Sequence, residues 1–212
     1  VVSASKQRSD DFSTFTQRLI HEVPFLVHLK PREGQRNSKI AFDVAPAKAS
    51  HSPSVKSVGI TGQLAGSRAD IIVADDIEVP NNSATQMMRE KLSEAIKEFD
   101  AVLKPEGKII YLGTPQTEMS IYELLPERGY TVQIWPARYP SELQRARMGD
   151  RLAPLVSEPL DRQQKAVGEP TDPQRFNDED LLERELSYGR SGFSLQFMLD
   201  TSLSDHDRYP LK

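Results

Sequence analysis

Residues 69–78 read Ala-Asp-Ile-Ile-Val-Ala-Asp-Asp-Ile-Glu. Small and apolar residues running into acids are the pattern of a parallel strand buried on both faces, with polar groups at its carboxyl end. Adjacent residues leaving such a strand can aim one carboxylate at a hydrated metal ion and the other at a water molecule. Asp75 is then the candidate ligand for Mg2+, held through its water shell. Asp76 is the candidate base that orients and deprotonates an attacking water. Glu78 is a second candidate for that base, and the choice between the two stays open. Acids that merely cap a loop or a helix give the same string, so the motif needs companions.

A second apolar run, Ile109-Ile110-Tyr111-Leu112, ends at Gly113-Thr114-Pro115-Gln116. The side chain of Thr114 or Gln116 could sense the terminal phosphate of ATP from a strand beside the acidic one. A strand followed by a Pro turn is the plainer reading of these residues alone. Ahead of the acids, Gly66-Ser67-Arg68 places a guanidinium in a flexible loop. Arg68 could act as an arginine finger toward a neighbouring subunit's nucleotide, or be a surface residue in a turn. Ser3-Ala4-Ser5-Lys6-Gln7-Arg8 is polar and basic and follows an apolar start. Such a loop can touch nucleotide or nucleic acid, and a solvated turn is the simpler alternative. His21, His28, His51 and His206 show no metal-ligand spacing. Trp135 reads as core, Gln144–Arg151 as a solvated helical face, and Asp205 and Asp207 as acids of a polar linker.

The elements that would position these residues alternate. Val1–Ala4 reads as the end of a strand, Ser5–Ser9 as a turn, and Asp11–Val23 as an amphipathic helix stopped by Pro24. Phe25–Leu29, Lys39–Val44 and Val55–Thr61 read as strands, and Gln63–Arg68 as a loop. Beyond the acidic strand, Ala84–Leu103 is strongly helical and Pro105-Glu106-Gly107 breaks it. Lys108–Leu112 is a strand, Ser120–Leu125 a short helix and Thr131–Trp135 a further strand. About thirty residues and one helix separate the two motifs, which fits one βαβ crossover and sets both polar ends at the same sheet edge. The fold class is α/β with a mostly parallel sheet. By texture, residues 1–136 form the core, 137–200 a helical and irregular subdomain, and 201–212 the start of a linker.

Composition narrows the function. The 212 residues carry 27 Lys and Arg against 31 Asp and Glu, a net charge of −4. That is less basic than is usual for a protein that grips DNA through a broad static surface, so any DNA contact is expected to be local, transient or made by another part of the protein. There is no cysteine, hence no disulfide and no thiolate metal site. No apolar run has the roughly 18 residues that a membrane span needs.

In combination, TGQLAGSRADIIVADDIE, KIIYLGTPQTEMSIYELL and GFSLQFMLD resemble the large terminase subunit of short-tailed bacteriophages, also called DNA maturase B. The resemblance covers nearly the whole chain. It implies a P-loop NTPase of the ASCE type, with ATP and Mg2+ as cofactors. It further implies a homo-oligomeric ring, a pentamer, working in the host cytoplasm at the portal vertex of the procapsid. The implied partners are double-stranded DNA, the portal protein and a small terminase subunit, with no membrane. Such a motor drives DNA inward, and a C-terminal nuclease of the parent chain cuts it. By position, Asp75 matches the Walker B metal ligand, and Gly113, Thr114 and Pro115 match the coupling motif. Asp76 stands where many relatives carry a glutamate, and Arg68 matches the finger region loosely. The phosphate loop G-x-x-x-x-G-K-S/T does not occur in the sequence. The expectation is therefore a piece of the ATPase domain lacking its phosphate loop and nuclease, and inactive alone. A helicase-like ATPase and a non-catalytic α/β binding module are the alternative readings.

Overall fold

The computed structural model describes residues 1–203, so Asp205, His206 and Asp207 lie outside the described residues. The chain divides into two compact units at Gly113 and Thr114.

The first unit is built on a parallel sheet. Strands β1 (Val2–Ser3), β4 (Val58–Gly59), β5 (Ala69–Asp75) and β6 (Leu103–Leu112) pair in the order β4-β1-β5-β6. Ser3 stands opposite both Gly59 and Asp75, and Asp75 opposite Leu112. The β5–β6 register shifts between Ala69 and Ile71, and the strained turn at Glu106 (φ 65°) lies in the irregular first half of β6. A separate antiparallel pair, β2 (Ala41–Phe42) with β3 (Val55–Lys56), buries Phe42 completely.

Helix α1 spans Lys6–Glu22. The expected turn at Ser5–Ser9 is instead its first turn. Ser5 caps the helix by accepting from the Arg8 amide at 3.3 Å, which satisfies one of the donors every helix start leaves open. Buried Ser9 and Ser13 let α1 lie close on β1 and β4. At Gly59 a Cβ would come within 2.9 Å of the Lys6 nitrogen. Pro24–Leu29 is a 3-10 turn, where the sequence predicts a strand. Pro24 sits at its first position, where a missing N–H costs nothing.

The β5–β6 crossover runs through a short α2 (Pro80–Ser83) and a long α3 (Gln86–Val102). Thr85 caps α3 by accepting from the Met88 amide. Its apolar stripe, Leu92, Ile96, Phe99 and Val102, is buried, and Phe99 stacks on Tyr111 at 6.0 Å. Ile72 and Ala74 are buried, whereas Ile71, Ile110 and Leu112, which share the other face, are 44–58% exposed. The expectation of a strand buried on both faces thus holds for only one face of β5.

The second unit is helical among its described residues: α4 (Ile121–Leu124), α5 (Glu142–Met148), α6 (Pro154–Asp161) and α7 (Asp178–Gln196), the last broken at Gly189. Ile134, Tyr139, Met148, Leu152, Ala153 and Val156 form one core. Leu181, Phe193 and Met198 form another. The strand predicted over Thr131–Trp135 is reduced to one bridge between Ile134 and Leu152. An apolar run becomes a strand only where a neighbour supplies a ladder, and α5 and α6 take that space. Trp135, predicted to be core, is 56% exposed.

Candidate active site

Parallel pairing brings the ends of β1, β5 and β6 to one sheet edge, with Ser3, Asp75 and Leu112 in register there. Open parallel sheets carry their ligand sites at this carboxyl edge. At Asp76 the backbone turns left-handed, with φ 46°, and its amide donates to the Leu112 carbonyl at 2.9 Å. Asp is among the few side chains found with any frequency in that conformation. The turn breaks the alternation of the strand, and Asp76 then meets a guanidinium. Arg8 Nη1 donates to Asp76 Oδ2 at 3.3 Å, with the two side chains 57% and 46% exposed.

The electrostatics are those of a site short of positive charge. Burial, and then the charge of Asp76, raise the Asp75 carboxyl above its usual range, and only Arg8 acts to lower it. Glu78 differs from both, being 1% exposed. Among the described residues, no group of three or more His, Cys, Asp or Glu side chains could hold a metal ion unaided. Two crowded carboxylates fit a cation that keeps most of its waters and completes its shell with phosphate oxygens, which is the habit of Mg2+. The donor set is chemically compatible with such a cation, and no phosphate loop of the form G-x-x-x-x-G-K-S/T occurs in the sequence.

The other sequence candidates fall elsewhere. Arg68 is exposed at the amino end of β5, donating to the neighbouring Ser67 carbonyl at 3.0 Å. Six strand steps separate Ala69 from Asp75, about 20 Å, so Arg68 does not meet the acids of its own chain. A cleft of about 350 Å³ lies beside Arg68 at that end, lined by Lys56, Ser67 and Asp70 among others. Thr114 and Gln116 open the second unit, where the Gln116 amide donates to the Thr114 carbonyl at 3.0 Å. Exposed His21 bonds the Gln17 carbonyl at 2.8 Å. Arg8 is the residue whose contact sequence reasoning missed. Its signal was a basic residue just beyond a strand that neighbours the acidic one.

A mostly parallel sheet with flanking helices, carrying paired acids at its carboxyl edge, places the chain among the α/β proteins. No family model matches the chain. It is 59% identical, over 217 residues and along 100% of its own length, to the protein named "Terminase, large subunit" of Enterobacteria phage T3. The chain belongs to the large terminase subunits of short-tailed phages. It spans 37% of that relative's length. No helix among the described residues is long and apolar enough to cross a membrane.

Proposed function

We propose that this chain is the catalytic sheet of an ATP-driven DNA-packaging motor, in which the parent protein uses ATP and Mg2+ to drive double-stranded DNA into procapsids. The observation that carries the reading is the Asp75–Asp76 pair at the carboxyl edge of β5, in a chain so similar to a terminase large subunit. Asp75 would hold Mg2+ through its waters, and the cation would neutralise charge on the phosphates. Asp76, half exposed and turned out of the strand, would orient the attacking water and accept its proton. It suits that task better than the buried Glu78. Thr114 and Gln116 would report phosphate state to the second unit. Arg68, at the far end of β5, would serve only a neighbouring subunit of a ring. Its partners would be the portal protein and a small terminase subunit, and the parent would also carry the nuclease. With a net charge of −4, DNA would be gripped locally and transiently.

The test is ATP turnover by the full-length parent with DNA and procapsids, for wild type and Asp76→Asn. Removal of a general base lowers turnover by about two or more orders of magnitude. Near-normal turnover in the variant shifts the base to Glu78 or another group. No turnover in wild type overturns the ATPase reading.

A further inference from the structure

Arg8 differs from its neighbours in where its side chain goes. Lys6 and Gln7 bond within their own helix, to Asp10 and to Asp11 one turn on. Arg8, with Asp11 also within helical reach, crosses to a residue 68 positions away. It is a cation in the first turn of α1, a turn without any acid, where the helix dipole disfavours positive charge. Its only side-chain hydrogen bond among the described residues is the 3.3 Å contact to Asp76, made by one of its five donor hydrogens.

The acid it meets is held from two sides. The Asp76 amide is tied to Leu112, so the backbone is fixed and only the carboxylate can swing. What restrains the carboxylate is Arg8. A long contact between half-exposed groups is weak, whereas guanidinium binds phosphate oxygens in a strong bidentate fork. An incoming phosphate therefore competes well for Arg8, and the carboxylate is released as it binds.

We propose that Arg8 is the positioning residue of this carboxylate pair, holding Asp76 aside until the terminal phosphate of a nucleoside triphosphate takes its guanidinium. Asp76 then becomes free to meet the water only when the triphosphate is present. The inference rests on the ATPase reading above and adds to it a means of keeping the base idle on an empty or diphosphate-bound site.

The experiment titrates the full-length parent, in Mg2+, with fluorescent ADP and with a fluorescent β,γ-imido ATP analogue. Arg8→Ala weakens the analogue several-fold and leaves ADP unchanged, and Arg8→Lys restores part of the loss. Asp76→Asn frees Arg8 and tightens the analogue about two- to five-fold, the range an exposed ion pair spans. That gain disappears in the Arg8→Ala background. Turnover by Arg8→Ala at saturating DNA falls in kcat, and its KM for ATP rises in step with the weakened binding of the analogue. Equal weakening of ADP and analogue overturns the proposal, as does a gain from Asp76→Asn that persists without Arg8. In either case wild-type nucleotide binding leaves the ATPase reading standing. A wild type that binds neither nucleotide overturns both.

Discussion

Replacing Asp76 by glycine and by alanine separates two properties that the side chain combines. Both variants lose the carboxylate and both keep the amide donated to Leu112 at 2.9 Å. They differ in how they accept φ 46°. A left-handed backbone costs an ordinary L-residue roughly 1–2 kcal/mol, and glycine essentially nothing. The lost pair with Arg8 is half exposed, so it contributes about 0–1 kcal/mol. Glycine should therefore stay within about 1 kcal/mol of wild type, the relief of strain offsetting the lost contact. Alanine keeps the strain and loses the contact, and should fall roughly 1–2 kcal/mol below glycine. Thermal melting of the full-length parent reads that difference. Turnover of ATP should fall in the two variants alike, by about 10²–10⁴-fold. Equal melting of the two variants would show that the backbone at Asp76 is unstrained. Turnover within tenfold of wild type would show that Asp76 is not the base.

Asp75→Asn should raise the melting temperature at neutral pH without Mg2+. The folded carboxyl titrates above the usual value of 3.8 because of burial and then Asp76. Its ionisation therefore takes stability away as pH rises through the folded pKa, and the advantage of Asn should vanish in melts run below about pH 3.8. Addition of Mg2+ should narrow the gap by stabilising only the wild type. Gly59→Ala forces a methyl to within 2.9 Å of the Lys6 backbone nitrogen. It should destabilise by about 1–3 kcal/mol, with hydrogen exchange rising first in the opening turn of α1. Phe99→Ala removes a fully buried ring stacked on Tyr111, and denaturant unfolding should show a loss of about 3–5 kcal/mol.

Which parts of this molecule could be read from sequence follows from how far each signal reaches along the chain. Strand β5, helix α3 and the regular half of β6 were legible because apolar period, length and breakers agree within a few residues. Phe25–Leu29 was misread because a short apolar run has no period of its own, and Pro24 favours a helical start as readily as it ends one. The start of α1 was missed because Ser5 caps it without an acid three residues later to mark a capping box. Thr131–Trp135 has a strand's composition, but its neighbours in space are helices, which no local pattern discloses. The place of Asp75 and Asp76 at the carboxyl end of β5 was legible from residue type and order. The pairing of Asp76 with Arg8 depends on β1 lying next to β5, a fact of topology, and on a left-handed backbone that the letters do not announce.

The uncovered side of β5 and β6 has a practical consequence for the bench. Ile71, Ile110 and Leu112 present a flat greasy surface. Among the described residues no strand pairs with the outer edge of β6. Such an edge is a template for intermolecular strand addition. Made in isolation, this stretch should collect in inclusion bodies or drift into soluble aggregates. Lys replacements at Ile71 and Ile110, away from the carboxyl edge that carries Asp75 and Asp76, should keep it in solution.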